Sequence, residues 1–154
     1  MTEEVPKALV VRAGTRVCAI PVSHVVETMR PLPIETLAGT PRFVRGVSVI
    51  RGAVLPVLDL EGLLGGGDAA AGYGRLVTVK IDEQRLALGV DEVLGIRNLR
   101  SSRLETLPPL LQHAGRGVIE ALGAADSQVL VLLRVVRMVP EDVWAALASA
   151  EEAP

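Results

Sequence analysis

The chain has 154 residues, enough for one ordinary domain or two very small ones. Apolar residues make up 49%, yet Phe43, Tyr73 and Trp144 are the whole aromatic set, which excludes the stacking platforms that grip single-stranded nucleic acid. With 16 Lys and Arg against 18 Asp and Glu, the net charge of −2 gives no overall attraction to phosphate backbones, and the single Cys18 excludes an internal disulfide and a cysteine metal cage.

In chain order, Met1 to Lys7 carries Glu3, Glu4 and Pro6 and lacks the basic and apolar stretches of a signal peptide. No window approaches the ~18 apolar residues of a membrane helix, so a cytoplasmic protein with no direct membrane insertion is expected. Ala8 to Val11 and Arg16 to Pro21 read as two strands around a Gly14-Thr15 turn. Val22, Val25, Val26 and Met29 are spaced i, i+3, i+4, i+7, which predicts a short helix over Val22 to Met29 with Ser23 as its N-cap. Pro31 and Pro33 then demand extended chain. Val47 to Ile50 and Val54 to Leu58 read as strands around Arg51-Gly52, and Asp59 caps a short turn through Leu63-Leu64. Gly65 to Gly74 has almost no side chains to anchor it and reads as a mobile loop.

After that loop the pattern starts again. Leu76-Val77-Thr78-Val79-Lys80 repeats Ala8-Leu9-Val10-Val11-Arg12 at an offset of 68, and Ala87 to Leu94 repeats Ala19 to Val26 without a gap. Leu104-Glu105-Thr106-Leu107 follows Ile34-Glu35-Thr36-Leu37, Arg116-Gly117-Val118 follows Arg45-Gly46-Val47, and Val129 to Leu133 follows Val54 to Leu58. An ordered internal repeat of this length predicts two similar units, at about 8–64 and 75–139 of a single domain spanning 1–154. Each holds about five short strands, a set that curls into a small barrel and so removes free edges. Glu141 to Ala150, with Val143, Trp144 and Leu147, reads as a closing helix over about 140–150.

Catalytic chemistry finds little support. Cys18 sits in an apolar strand, where cysteine behaves as a small hydrophobe, and His24 has no evident orienting carboxylate. His113 stands alone in a loop after Pro108-Pro109, so no metal site is expected. Gly65-Gly66-Gly67 lacks the Lys-Ser/Thr of a phosphate-binding loop, and Asp91-Glu92 reads as a helix cap. No catalytic residue and no cofactor is assigned. One motif asks for more. Arg51 lies between two Val/Leu strands, where its head must be paired or exposed. It reads as a guanidinium at the rim of an apolar groove, ready for a partner's carboxylate or backbone carbonyl.

Here the chain resembles the CheW family of chemotaxis coupling proteins, from about Ala8 to about Val139. Ala19-Ile20-Pro21-Val22 with Val25-Val26-Glu27, Arg45-Gly46-Val47 through Arg51-Gly52, Pro56-Val57-Leu58-Asp59-Leu60 and Gly89-Val90-Asp91-Glu92-Val93 carry the resemblance in order. The resemblance implies a mainly β fold of two intertwined SH3-like five-stranded barrel subdomains. It also implies a non-enzymatic adaptor joining the cytoplasmic tip of methyl-accepting chemoreceptors to the regulatory domain of a CheA-type histidine kinase. That kinase domain shares the fold, which admits self-association or mixed rings. Val25, Glu27 and Arg51 match family positions associated with receptor coupling, and Val47 and Val54 join them by position on the hairpin. The usual Asn-Leu before Arg-Gly is Val49-Ile50 here. A second reading is a divergent accessory member that keeps one partner surface, receptor or kinase, in a non-flagellar chemosensory pathway.

Overall fold

The computed structural model describes residues 7–66 and 72–138. β1 (Lys7–Ala13) and β2 (Arg16–Pro21) form a hairpin whose turn residue Gly14 has φ 64°, a conformation glycine adopts without steric cost. A 3-10 turn, Val22–His24, then leads into β3 (Val25–Met29). This corrects the helix expected over Val22 to Met29, and Ser23 caps nothing. The apolar spacing there spans only two turns, whereas Val25, Val26 and Thr28 are β-branched and favour a pleated surface. Half-buried and exposed residues alternate along β3 with period 2.

β4 (Val44–Ile50) and β5 (Ala53–Asp59) follow, joined at Arg51-Gly52, and α1 (Leu60–Leu63) is one turn long. The Asp59 carboxylate accepts the Gly62 N–H at 3.2 Å, as the sequence predicts. The second copy supplies β6 (Arg75–Ile81), β7 (Gln84–Val90), β8 (Glu92–Asn98), β9 (Glu105–Thr106), β10 (Ile119–Ala125) and β11 (Gln128–Leu133), with short 3-10 turns between them. Asp91-Glu92 caps no helix. Asp91 sits between two strands and accepts the Gly14 N–H at 2.6 Å, while Glu92 opens β8 and pairs with Arg12 at 3.2 Å. The closing helix expected at 140–150 and the middle of the glycine-rich loop lie outside the described residues. The end of that loop is held: Gly74 donates to the Val90 carbonyl, and the Tyr73 ring lies so close over Gly89 that a Cβ there would sit 2.5 Å from it.

The strands form a six-stranded sheet, β8-β1-β2-β11-β10-β9, and a five-stranded sheet, β3-β6-β7-β5-β4. Neither sheet is built from one copy. The first takes β1 and β2 from the leading copy, and the second takes β6 and β7 from the trailing one. The exchange is joined by two parallel pairs, β2 with β11 and β5 with β7. The units expected at about 8–64 and 75–139 are therefore repeats of sequence whose strands cross between sheets. The repeat is faithful in detail. Val25 pairs with Val79 and Val93 with Val11, and each register then slips by one residue, leaving Val26 and Leu94 as the bulged positions.

Strand alternation explains the aliphatic excess. Along β1, Ala8 and Val10 face an apolar cluster inside the six-stranded sheet, while Leu9, Val11 and Ala13 face a larger core shared with the other sheet. Along β6 and β7, Leu76 and Ala87 face a third cluster, and Val77, Val79, Leu86 and Leu88 face the shared core. Strands buried on both faces need apolar residues at every position, not at every second one.

Candidate functional site

The β4–β5 hairpin separates its residues cleanly by face. Ile50, Leu55 and Val57 point into the inner cluster of the five-stranded sheet. Val49 stands directly across from Val54, and Val47 from Pro56, so these four share the outer face. Val49 and Val54 are each 65% exposed, a β-branched pair held out in water at the hairpin end. Val47 is half-buried because its backbone exchanges two hydrogen bonds with Glu35, at 2.8 and 2.9 Å. Ser48, buried on the opposite face, donates its hydroxyl to the Pro33 carbonyl.

Arg51 occupies the turn with φ 53°, an unusual conformation for a residue with a Cβ. Its Nε donates to Oε2 of Glu27 at 3.1 Å and its Nη2 to Oε1 at 2.8 Å. The planar fork suits this two-point contact. β3 and β4 are opposite edges of the five-stranded sheet, so the pair joins the two edges and the sheet is curled. The Arg51 hydrogen bond is the main cause that holds the Glu27 carboxyl below its ordinary range. The Arg51 side chain remains 75% exposed and Glu27 27%. The guanidinium read from sequence as waiting for a partner's carboxylate is already paired within the chain, and its other N–H groups face outward.

Of the five residues expected at the site, the structure brings Glu27 and Arg51 into contact and sets Val54 and Val47 on the adjoining face. Val25 packs against the shared core. Val49 was missed by sequence reasoning. The signal for it was its place one residue before the Ile50-Arg51 turn segment, cross-strand from Val54.

Cys18 is buried in the shared core, and burial pushes its thiol up to about 12, so it stays protonated at neutral pH. A ring nitrogen of His24 lies 3.0 Å from the Lys80 carbonyl oxygen. Burial above all, and then the Asp59 carboxylate, push the Tyr73 phenol upward, and its buried hydroxyl has no hydrogen-bond partner among the described residues. Among the described residues no three His, Cys, Asp or Glu side chains are grouped to hold a metal, and no helix is long and apolar enough to cross a membrane.

Two strand-exchanged sheets around one seam, with an apolar hairpin face beside a clamped arginine, define a mainly β interaction module. The CheW-like domain model matches residues 7–143, and the chain belongs to that family of chemotaxis scaffold and adaptor domains. It is 34% identical over 123 residues to protein FrzA of Myxococcus xanthus, covering 75% of each chain. It is 33% identical over 101 residues to protein PilI of Pseudomonas aeruginosa, covering 64% of this chain and 57% of that one. The chemotaxis protein CheW of Helicobacter pylori is 22% identical over 141 residues, 91% of this chain and 85% of the relative. The fold is similar to that of the scaffolding protein TtCheW from Thermoanaerobacter tengcongensis, with TM-score 0.72 at 24% identity over 85% of this chain and 90% of that one.

Proposed function

We propose that this chain is a non-enzymatic scaffold that couples the cytoplasmic tip of a methyl-accepting chemoreceptor to a CheA-type histidine kinase. In this reading each curled sheet is an SH3-like barrel subdomain, and the protein works in the cytoplasm at receptor arrays. The observation that carries it is the β4–β5 hairpin: a β-branched pair left in water beside an arginine pre-oriented by Glu27. A receptor helix laid on Val47, Val49 and Val54 covers apolar surface and meets the outward N–H groups of Arg51. Val25 supports the seam under β3. Signal passes as a change in the relative placement of partners, with no chemistry on this chain.

Arg51→Ala tests the site. The fold should remain, judged by thermal unfolding, while binding of a receptor-tip fragment weakens by roughly tenfold or more, as for a central arginine anchor. Wild-type affinity in that variant contradicts the assignment.

The second reading, an accessory member with one partner surface in a non-flagellar pathway, draws support from the relatives named FrzA and PilI and from Val49-Ile50 before Arg51-Gly52. Separate titrations with the two partners distinguish the readings.

A further inference from the structure

The two copies of the repeat build the same frame and fill it differently at three points. In each copy a strand slips by one residue at a bulge, which sets Glu27 across from Thr78 in one and Gly95 across from Val10 in the other. In each, a two-residue turn closes a hairpin and opens on a residue with positive φ. Arg51 has φ 53° between the paired Ile50 and Ala53, and Asp126 has φ 57° between the paired Ala125 and Gln128. Thr78, Glu27 and Arg51 therefore stand where the other copy has Val10, Gly95 and Asp126.

The first three are bonded to one another. Thr78 Oγ1 donates to the Glu27 carbonyl oxygen at 3.3 Å, and the Glu27 carboxylate accepts from Nε and Nη2 of Arg51. The other three are not built for this. Val10 has no donor, and Gly95 has no side chain and a φ of 118°, which other residues rarely adopt. Thr78 is 2% exposed and lies on the inner face of its strand with Leu76, while Val10 packs in the inner cluster of the other sheet. A hydroxyl in that place costs burial energy that a valine methyl does not. The bulge on β8 forms without one, so strand pairing does not require it. What the hydroxyl holds is the backbone of the residue that engages Arg51. A bulge leaves one residue out of the ladder and bends the strand. A side-chain bond to the carbonyl just past the bulge fixes the direction in which Glu27 leaves the strand.

We infer that Thr78 is a positioning residue of the proposed receptor site: its hydroxyl fixes Glu27 at the bulge, and Glu27 fixes the Arg51 guanidinium. This rests on the receptor-coupling reading and adds to it a buried residue that orients the site from beneath. It also makes the site single, because the counterpart turn at Asp126 has neither the carboxylate nor the hydroxyl behind it.

The test follows the Glu27 carboxyl by NMR titration, and the affinity of a receptor-tip fragment, in wild type, Thr78→Val, Thr78→Ser and Arg51→Ala. The groups that hold the carboxyl below its ordinary range are Arg51, first through its hydrogen bond, and Arg85. Neither is altered by a change at Thr78, so a shift in the titration reports geometry. Thr78→Val, nearly the same shape, should raise the Glu27 midpoint toward its value in Arg51→Ala and weaken the fragment about threefold to tenfold, the worth of one neutral hydrogen bond. Thr78→Ser should keep the wild-type midpoint and affinity. Thr78→Val added to Arg51→Ala should weaken binding no further. Thermal unfolding is followed in parallel, and Thr78→Ala serves if the valine variant does not fold. An unmoved Glu27 midpoint without the hydroxyl overturns the positioning role, whatever the affinity does. A moved midpoint, with the fragment bound equally by wild type, Thr78→Val and Arg51→Ala, upholds the link from Thr78 to Arg51 and overturns the receptor site.

Discussion

At the scale of residues, Arg51 and Glu27 are the informative pair. Both were legible as candidates, but their mutual contact was not, because they are 24 positions apart on opposite edges of a curled sheet. Only the closure of the sheet brings them together. The pair carries a pH signature with a definite sign. Glu27 titrates below the usual carboxylate value of about 4.5 in the folded chain, chiefly through the Arg51 hydrogen bond. The folded state thus binds fewer protons there, so the pair's stabilisation is present above about 4.5 and is lost as pH falls through the depressed value. Denaturant melts of wild type and Glu27→Gln should differ by a constant amount from pH 6 to 8 and converge on acidification. A gap that persists unchanged below pH 3 contradicts the account. Cys18, by contrast, was read correctly from its apolar neighbours as a core residue, and its buried, protonated thiol agrees.

At the scale of elements, strands were well marked and the stretch from Val22 to Met29 was misread as a helix. Val22 to Met29 satisfies a helical apolar spacing by chance, and two turns of pattern carry too little information against three β-branched residues. Hairpins were legible because Gly14-Thr15 and Arg51-Gly52 interrupt apolar runs. Glycine also acts where sequence gave no warning. Gly46 on β4 has φ 145°, and a Cβ there would lie 2.1 Å from the Glu35 carbonyl oxygen, which accepts the Val47 N–H. Gly46→Ala should separate Glu35 from β4, costing about 1–3 kcal/mol as other overpacked sites do. The check is the midpoint of urea unfolding; an unshifted midpoint means the bridge to Glu35 contributes nothing.

At the scale of the whole molecule, the repeat was legible and its consequence was not. Similar copies indicate similar strands, yet nothing in similarity says which copy pairs with which. The exchange of β1 and β2 against β6 and β7 places a core between the sheets as well as inside each. That is why few large aromatics are needed and why so many Val and Leu are. The same exchange ties the two sheets into one body, which the proposed coupling function requires of a scaffold. The central claim is that this body holds two different partners at once. Titrating the chain by calorimetry with a receptor-tip fragment, with the kinase regulatory domain, and with one in the presence of the other tests it most directly. The account predicts two separate binding events and a ternary complex; a chain that binds neither, or whose partners exclude each other, contradicts it.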